Sequence, residues 1–310
     1  MRNFEGDSIE LLVVGPAFLE AFVPSGVTPL PGTEQYVPSI PIGLGGALNA
    51  ASVAAALGIS TGFMYPRTSW VVDGAIEECC RSTGIRGMPW GSPSVPFVTL
   101  VWTDARDRAF ISSGEWDSFK ECPAFPPARW VHVGGLTECR LLESRISEAA
   151  AAGSRTSSCA GWNLPILDAL GAGQLPFLDV LFMNQAEAEQ VSGGVEDALR
   201  LLPGQVARAV VVTLGSEGAV GVVGGRRVAA SAPAVETVDP TGAGDAFAAA
   251  VASGFIIAER QGVAGNPQQL SNQDYHLFRH SWRLLMFYFA RVFVLRKQKS
   301  KDSVIVVSFS

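Results

Sequence analysis

Short apolar runs alternate along this chain with alanine-rich stretches of helical period, and that rhythm leaves few folds open. Residues 207–214 (ARAVVVTL) form the clearest apolar run, as expected of a strand buried on both sides. Residues 9–15, 130–136 and 179–183 read in the same way. Helical stretches answer them at 45–57, 142–152 and 242–253, and in the Glu- and Ala-rich segment after Asn184. Strand, loop, helix, strand in this order implies a mostly parallel central sheet with helices on both faces, a three-layer α/β sandwich. Two hairpin patterns interrupt it, 96–103 with 108–113 and 218–223 with 227–231. Residues 33–42 mix β-formers with Pro38 and Pro41, so they read as an edge strand or flap. That flap and the hairpin over 96–113 predict a small β-strand lid.

Composition narrows the function classes. The 310 residues are 48% hydrophobic and 17% charged, enough apolar surface for a large core and too much for a disordered chain. A net charge of −6 argues against a nucleic-acid partner, whose footprint is basic. The apolar run 11–19 is about half a bilayer span. It follows Glu5, Asp7 and Glu10 where an export signal carries cations, so neither membrane association nor export is expected. Five cysteines, an odd number with no C-x-x-C pair, predict reduced thiols and a cytoplasmic location. Charge is unevenly placed: residues 255–310 net +5 and residues 1–254 net −11, with Lys297, Lys299 and Lys301 in the basic end. The chain is therefore expected to divide into a core over 1–254 and a divergent C-terminal segment over 255–310.

The chemistry concentrates in residues 238–247, VDPTGAGDAF. Gly242 and Gly244 let backbone N–H groups converge at a helix start, which is an anion site. An acidic residue there is electrostatically odd beside a phosphate. The oddity resolves if Asp245 is the base that deprotonates an attacking hydroxyl, while the amides take the charge on a transferred phosphoryl group. Read alone, the same segment is a glycine turn with Asp245 stabilising a helix dipole. Asn184-Gln-Ala-Glu187 follows a strand where open α/β sheets place ligands. Asn184 can bond a phosphate and Glu187 can hold Mg²⁺ through water; a solvated helix start is the alternative. Thr213-Leu-Gly215-Ser-Glu-Gly218 follows another strand, either as a nucleotide loop or as an ordinary hairpin entry. Gly45-Gly46-Ala-Leu-Asn49 opens a helix with backbone donors and a carboxamide suited to sugar hydroxyls. No G-x-x-x-x-G-K-[ST] is present, which excludes a P-loop, and His132, His276 and His280 do not make a zinc pattern. Cys79 and Cys80 read as reduced helix residues.

Taken in this order and spacing, these segments resemble the ribokinase-like (PfkB) carbohydrate kinase family. The resemblance rests on the strand at Ile9, GGALNAASVAAALG at 45–58, N-x-x-E at 184–187, TLGSEG at 213–218 and DPTGAGDAF at 239–247. It implies a ribokinase-like core that transfers phosphoryl from ATP to a hydroxyl of a sugar or nucleoside-like molecule. Asp245 would be the base, with Gly242, Ala243 and Gly244 as anion hole. Asn184, Thr213, Gly215, Gly218 and Gly244 would touch ATP, and Glu187 would organise Mg²⁺. Asp239 and Thr241 fall where some members bind a monovalent cation, K⁺ for instance. Gly46 and Asn49 would contact the substrate, with Glu20 standing where members usually have Asp. A homodimer is a further expectation. Members close with Ala- and Gly-rich segments that complete the adenine pocket, and residues 255–310 depart from this. That departure supports an alternative, an impaired member that binds a metabolite or a protein.

Overall fold

The computed structural model describes residues 8–24, 26–27, 30–103, 108–172, 175, 178–234 and 241–261. The chain opens with β1 (Ile9–Val14), β2 (Ala17–Val23) and β3 (Ile42–Gly46), then α1 (Ala47–Ala56), β4 (Thr61–Pro66), α2 (Trp70–Thr83) and β5 (Arg86–Trp90). A hairpin follows, β6 (Val98–Thr103) and β7 (Arg108–Ser113). The middle of the chain is β8 (Ala128–Val133), α3 (Leu136–Leu141), α4 (Glu143–Ala151), β9 (Arg155–Cys159), α5 (Leu164–Gly171) and β10 (Leu178–Asn184). It continues through α6 (Gln185–Ser192), α7 (Val195–Leu201), β11 (Ala207–Thr213), β12 (Ala219–Val223) and β13 (Arg226–Ala230) to α8 (Ala243–Arg260).

Nine strands make one sheet in the order β13-β12-β11-β10-β9-β8-β1-β4-β5. Neighbours are parallel from β11 to β5, and β12 and β13 are added antiparallel through hairpins. Both faces are covered, which is why the strands read as continuous apolar runs. Alternate residues part to opposite sides. Leu11, Val13, Val180, Phe182, Ala209 and Val211 pack beneath α1, α2 and α8, whereas Leu12, Val14, Leu181, Met183, Val210 and Val212 pack beneath α3–α7. Each such Val, Leu, Met or Phe side chain contributes about 1.5–3 kcal/mol through burial, and truncating Leu12 to Ala should cost about 2–5 kcal/mol.

The lid is a second sheet in the order β3-β2-β6-β7, antiparallel except for the β2–β6 pair. The hairpin at 98–113 sits where the pattern predicts. The strand expected over 33–42 does not: residues 33–41 form no strand, and the lid strand begins at Ile42. Pro38 and Pro41 explain the difference, since neither can donate to a ladder. Pro41 contributes only its carbonyl, which accepts from the Phe22 amide at 2.9 Å. The glycine pair at 45–46 correspondingly ends β3 rather than opening α1, with Gly46 as the helix N-cap.

Residue 254 is not a structural break. α8 runs through it to Arg260, with Phe255 and Ile256 buried among the α1 and α8 contacts. Two ion pairs fix its far end. Arg260 Nε donates to Glu10 Oε1 at 2.7 Å. Arg155 Nε donates to Glu259 Oε1 at 3.3 Å, under the rings of Trp130 and Phe255. The helix is thus anchored at its C-terminal end while its N-terminus enters the site. Asp239, His276, His280 and everything after 261 lie outside the described residues. Among the described residues all five cysteines are free, and no helix is long and apolar enough to cross a membrane.

Candidate active site

The segments that follow β8 and β10 bring Glu138 and Glu187 within reach of the charge of Asp245 at the start of α8. Gly242 caps that helix in the left-handed region (φ 72°), a conformation that side chains disfavour, and a Cβ there would lie 2.8 Å from Asn49 Nδ2. Ala243, Gly244 and Asp245 then occupy the first turn, where backbone N–H groups have no intrahelical acceptor. These amides and the helix dipole together favour an anion. Asp245 belongs to this turn, and its carboxylate accepts a hydrogen bond from Asn49 Nδ2 of α1 at 3.2 Å. Burial pushes the carboxyl up to about 6, and the Asn49 bond pulls the other way. Such a carboxylate is poised close to neutrality.

On the phosphate side, Asn184 ends β10 directly beside Thr213 at the end of β11. Asn184 and Glu187 form a reciprocal cap on α6. The Glu187 amide donates to Asn184 Oδ1 at 2.9 Å, and the Asn184 amide donates to Glu187 Oε2 at 2.8 Å. The N-x-x-E spacing is therefore first of all a capping box. Glu187 is nonetheless buried rather than solvated, and its carboxyl is raised by burial and secondarily by the charge of Asp245. One carboxylate oxygen is taken by the cap and the other remains for a cation. A single carboxylate supplemented by water and phosphate oxygens is the donor set that Mg²⁺ prefers. The residues present fit that ion. No group of three or more His, Cys, Asp or Glu side chains forms an all-protein cage among the described residues.

Gly215 opens a 3₁₀ turn after β11 and Gly218 closes it. Gly218 is required by packing, because a Cβ there would stand 2.0 Å from the Ala230 carbonyl. Beside this loop lies a cavity of about 440 Å³, lined among others by Gln185, Leu214, Glu217, Arg227 and Ser231. Arg227 Nη2 donates to Glu196 Oε1 at 2.7 Å at its edge.

Glu20 lies on β2 of the lid, with its carboxylate directly over Gly45, so that a Cβ on that glycine would fall 2.2 Å from Oε1. Sequence reasoning does not reach Glu138, which the fold brings to the same centre. It is buried in the first turn of α3, against Gly134 and Gly135. Burial pushes its carboxyl up to about 7, with its own amide opposing and the Asp245 charge adding to the rise. The signal for it in the sequence is only a Gly-Gly pair after a strand. Thr241 lies at the entrance to α8, whereas its expected partner Asp239 is outside the described residues.

The family model described as pfkB family carbohydrate kinase matches residues 165–260. Cytidine kinase of Thermococcus kodakarensis is 39% identical over 82 residues, 25% of this chain and 30% of that protein. The chain thus aligns with less than a third of that relative's length. Ribokinase from Giardia lamblia superposes with a TM-score of 0.69 at 15% identity, over 90% of this chain and 92% of that one. Ribokinase of Arabidopsis thaliana, solved with ribose and ATP, gives 0.64 at 19% identity over 90% and 99%. The nucleoside kinase of Methanocaldococcus jannaschii gives 0.65 at 21% over 90% and 100%. The fold is the ribokinase-like one. Within it, residues 165–260 carry the pfkB match, which ends on the last residue of α8.

Proposed function

We propose that the protein transfers the terminal phosphoryl group of ATP to a hydroxyl of a sugar or nucleoside-like molecule. The observation that carries the reading is Asp245 itself, a carboxylate held by Asn49 at the amide-rich start of α8 and poised at about 6. Asp245 accepts the proton of the attacking hydroxyl through its carboxylate. The amides of Gly242, Ala243 and Gly244 face the charge that develops on the phosphoryl oxygens. Glu20, Asn49 and Glu138 orient the acceptor, and closure of the lid excludes water as a competing acceptor. Asn184, Thr213, Gly215 and Gly218 border the nucleotide, whose adenosine end has the cavity beside Arg227 available. Glu187 would hold Mg²⁺ through water, and the ion would neutralise the phosphate oxygens. A cytoplasmic location fits the five free thiols.

The test is ATP-dependent phosphorylation of a panel of sugars and nucleosides, with Asp245→Asn alongside. Turnover should fall at least ~10²-fold in the variant while acceptor binding persists. The rival reading, a binding module without catalysis, gains from the family match ending at residue 260, well short of the chain's end. Acceptor binding without any phosphoryl transfer by the wild type would select it.

A further inference from the structure

The loop that leaves β9 carries a residue for which the proposed chemistry has no use. β9 lies between β8 and β10, so this loop emerges between the Glu138 turn and the Asn184–Glu187 cap. Cys159, the last residue of the strand, feels the charges of Asp245, Glu187 and Glu138, which add to burial in raising its thiol. The loop therefore starts within electrostatic reach of the whole carboxylate centre. It is also held tightly. The Ala160 amide donates to the Phe182 carbonyl at 2.7 Å, and the Asn163 amide donates to the Gly161 carbonyl at 3.2 Å. Asn163 Nδ2 donates to Thr137 Oγ1 at 3.2 Å, one residue before Glu138.

At the tip of this fastened loop stands Trp162, 61% exposed, with Leu164 also exposed just beyond it. An indole left uncovered forgoes burial worth a few kcal/mol, at the edge of the sheet where ligands bind. No ring or cation contact of Trp162 exists among the described residues. The polar groups of the acceptor side, Asn49, Glu20, Glu138 and Asp245, suit hydroxyls and leave a flat apolar partner unserved. A ring on a rigid loop can stack at little cost in ordering.

We infer that Trp162 is a specificity-determining residue that stacks on the base of a nucleoside acceptor, so that the protein prefers nucleosides to free sugars. The inference rests on the kinase reading of the same cleft, and the experiment separates the two. Pyrimidine and purine nucleosides and free ribose are titrated calorimetrically, without ATP, into the full chain and into Trp162→Ala and Trp162→Phe. Thermal melts check that both variants fold. Nucleoside Kd should rise about tenfold or more in Trp162→Ala, the scale of one stacked base, and stay within a few-fold in Trp162→Phe. Ribose affinity should be equal in all three. Tryptophan fluorescence should be quenched by nucleoside in the wild type, with much less quenching in Trp162→Phe. Equal nucleoside affinity in Trp162→Ala would overturn the inference, as would tighter binding of ribose than of any nucleoside. Phosphorylation of ribose without any Trp162 effect would remove this inference and leave the kinase standing. Trp162-dependent nucleoside binding with no transfer from ATP would remove the kinase and leave this inference.

Discussion

Asn49 Nδ2 and Asp245 Oδ2 meet at 3.2 Å although 196 positions separate them, joining the first helix of the chain to the last described one. The bond is the one influence found to lower the Asp245 carboxyl against the burial that raises it to about 6. Asp245 must be ionised to accept a proton, so activity should rise with pH through about 6 and level off above it. Asn49→Ala removes the opposing bond. Its acid limb should move to higher pH by about one to two units, since a hydrogen bond to a charged group is worth ~1.5–3 kcal/mol and one unit is about 1.4 kcal/mol. A kcat/KM profile against pH checks this, and an unmoved limb would show that Asn49 does not act on Asp245.

Glu138 should govern stability rather than the position of that limb. Its folded carboxyl is raised from 4.5 to about 7, so the folded state holds a proton that the unfolded chain has released. Its contribution to stability is therefore fully present below about 4.5, is lost as pH rises toward 7, and stays lost above. Glu138→Gln has no charge to bury. Relative to the wild type it should melt a few degrees higher at pH 8 and gain little near pH 4.5. Melting curves at the two pH values decide it, and a variant no more stable at pH 8 would contradict the raised carboxyl.

What could be read beforehand followed from local pattern. The runs at β1, β10 and β11 are apolar on both faces because helices cover both sides of the sheet, and that pattern is visible without coordinates. Asp245, Asn184 and Thr213 stand out in the sequence because each lies beside a strand end or a glycine turn, and the structure places them at those positions. β2 is not visible in this way, because Pro16 stands just before it, Glu20 breaks its apolar run, and its pairing partners lie in β3 and β6. The lid strand starts later than the pattern at 33–42 suggests, because β-formers between prolines resemble a strand yet cannot donate to a ladder at Pro38 and Pro41. Glu138 was illegible for a deeper reason: nothing in TEC at 137–139 differs from an ordinary helix start. Its environment is completed by Gly15 and Ala47, which only the fold brings against Gly134 and the Glu138 carboxylate.

The Glu20 carboxylate over Gly45 makes two independent perturbations of one contact available. Glu20→Ala should weaken acceptor binding by about 1–3 kcal/mol and leave ATP affinity unchanged. Gly45→Ala would place a methyl carbon 2.2–2.6 Å from the same carboxylate, the movable end of a side chain, and so displace Glu20 without removing it. The two variants should share one phenotype in acceptor calorimetry. Normal acceptor affinity in both would put Glu20 outside the site.

Gly215 and Gly218 border the same loop but should fail in different ways. At Gly218 (φ 104°) a Cβ would lie 2.0 Å from the Ala230 carbonyl and 2.7 Å from the Ala232 amide nitrogen, and neither backbone atom can swing aside. Gly218→Ala must open the contact between the loop and the end of β13, and should cost at least ~2 kcal/mol from strain alone. At Gly215 (φ 58°) a Cβ meets nothing within 4 Å, so the substitution costs only the left-handed penalty of roughly 1–2 kcal/mol. The open space above Gly215 is where the proposed nucleotide would approach the backbone. Gly215→Ala should therefore raise the KM for ATP by more than its loss of stability accounts for. Denaturant unfolding and ATP kinetics on the two variants separate these effects. Should Gly215→Ala lose stability but keep its ATP KM, the loop would be a hairpin entry and not a nucleotide contact.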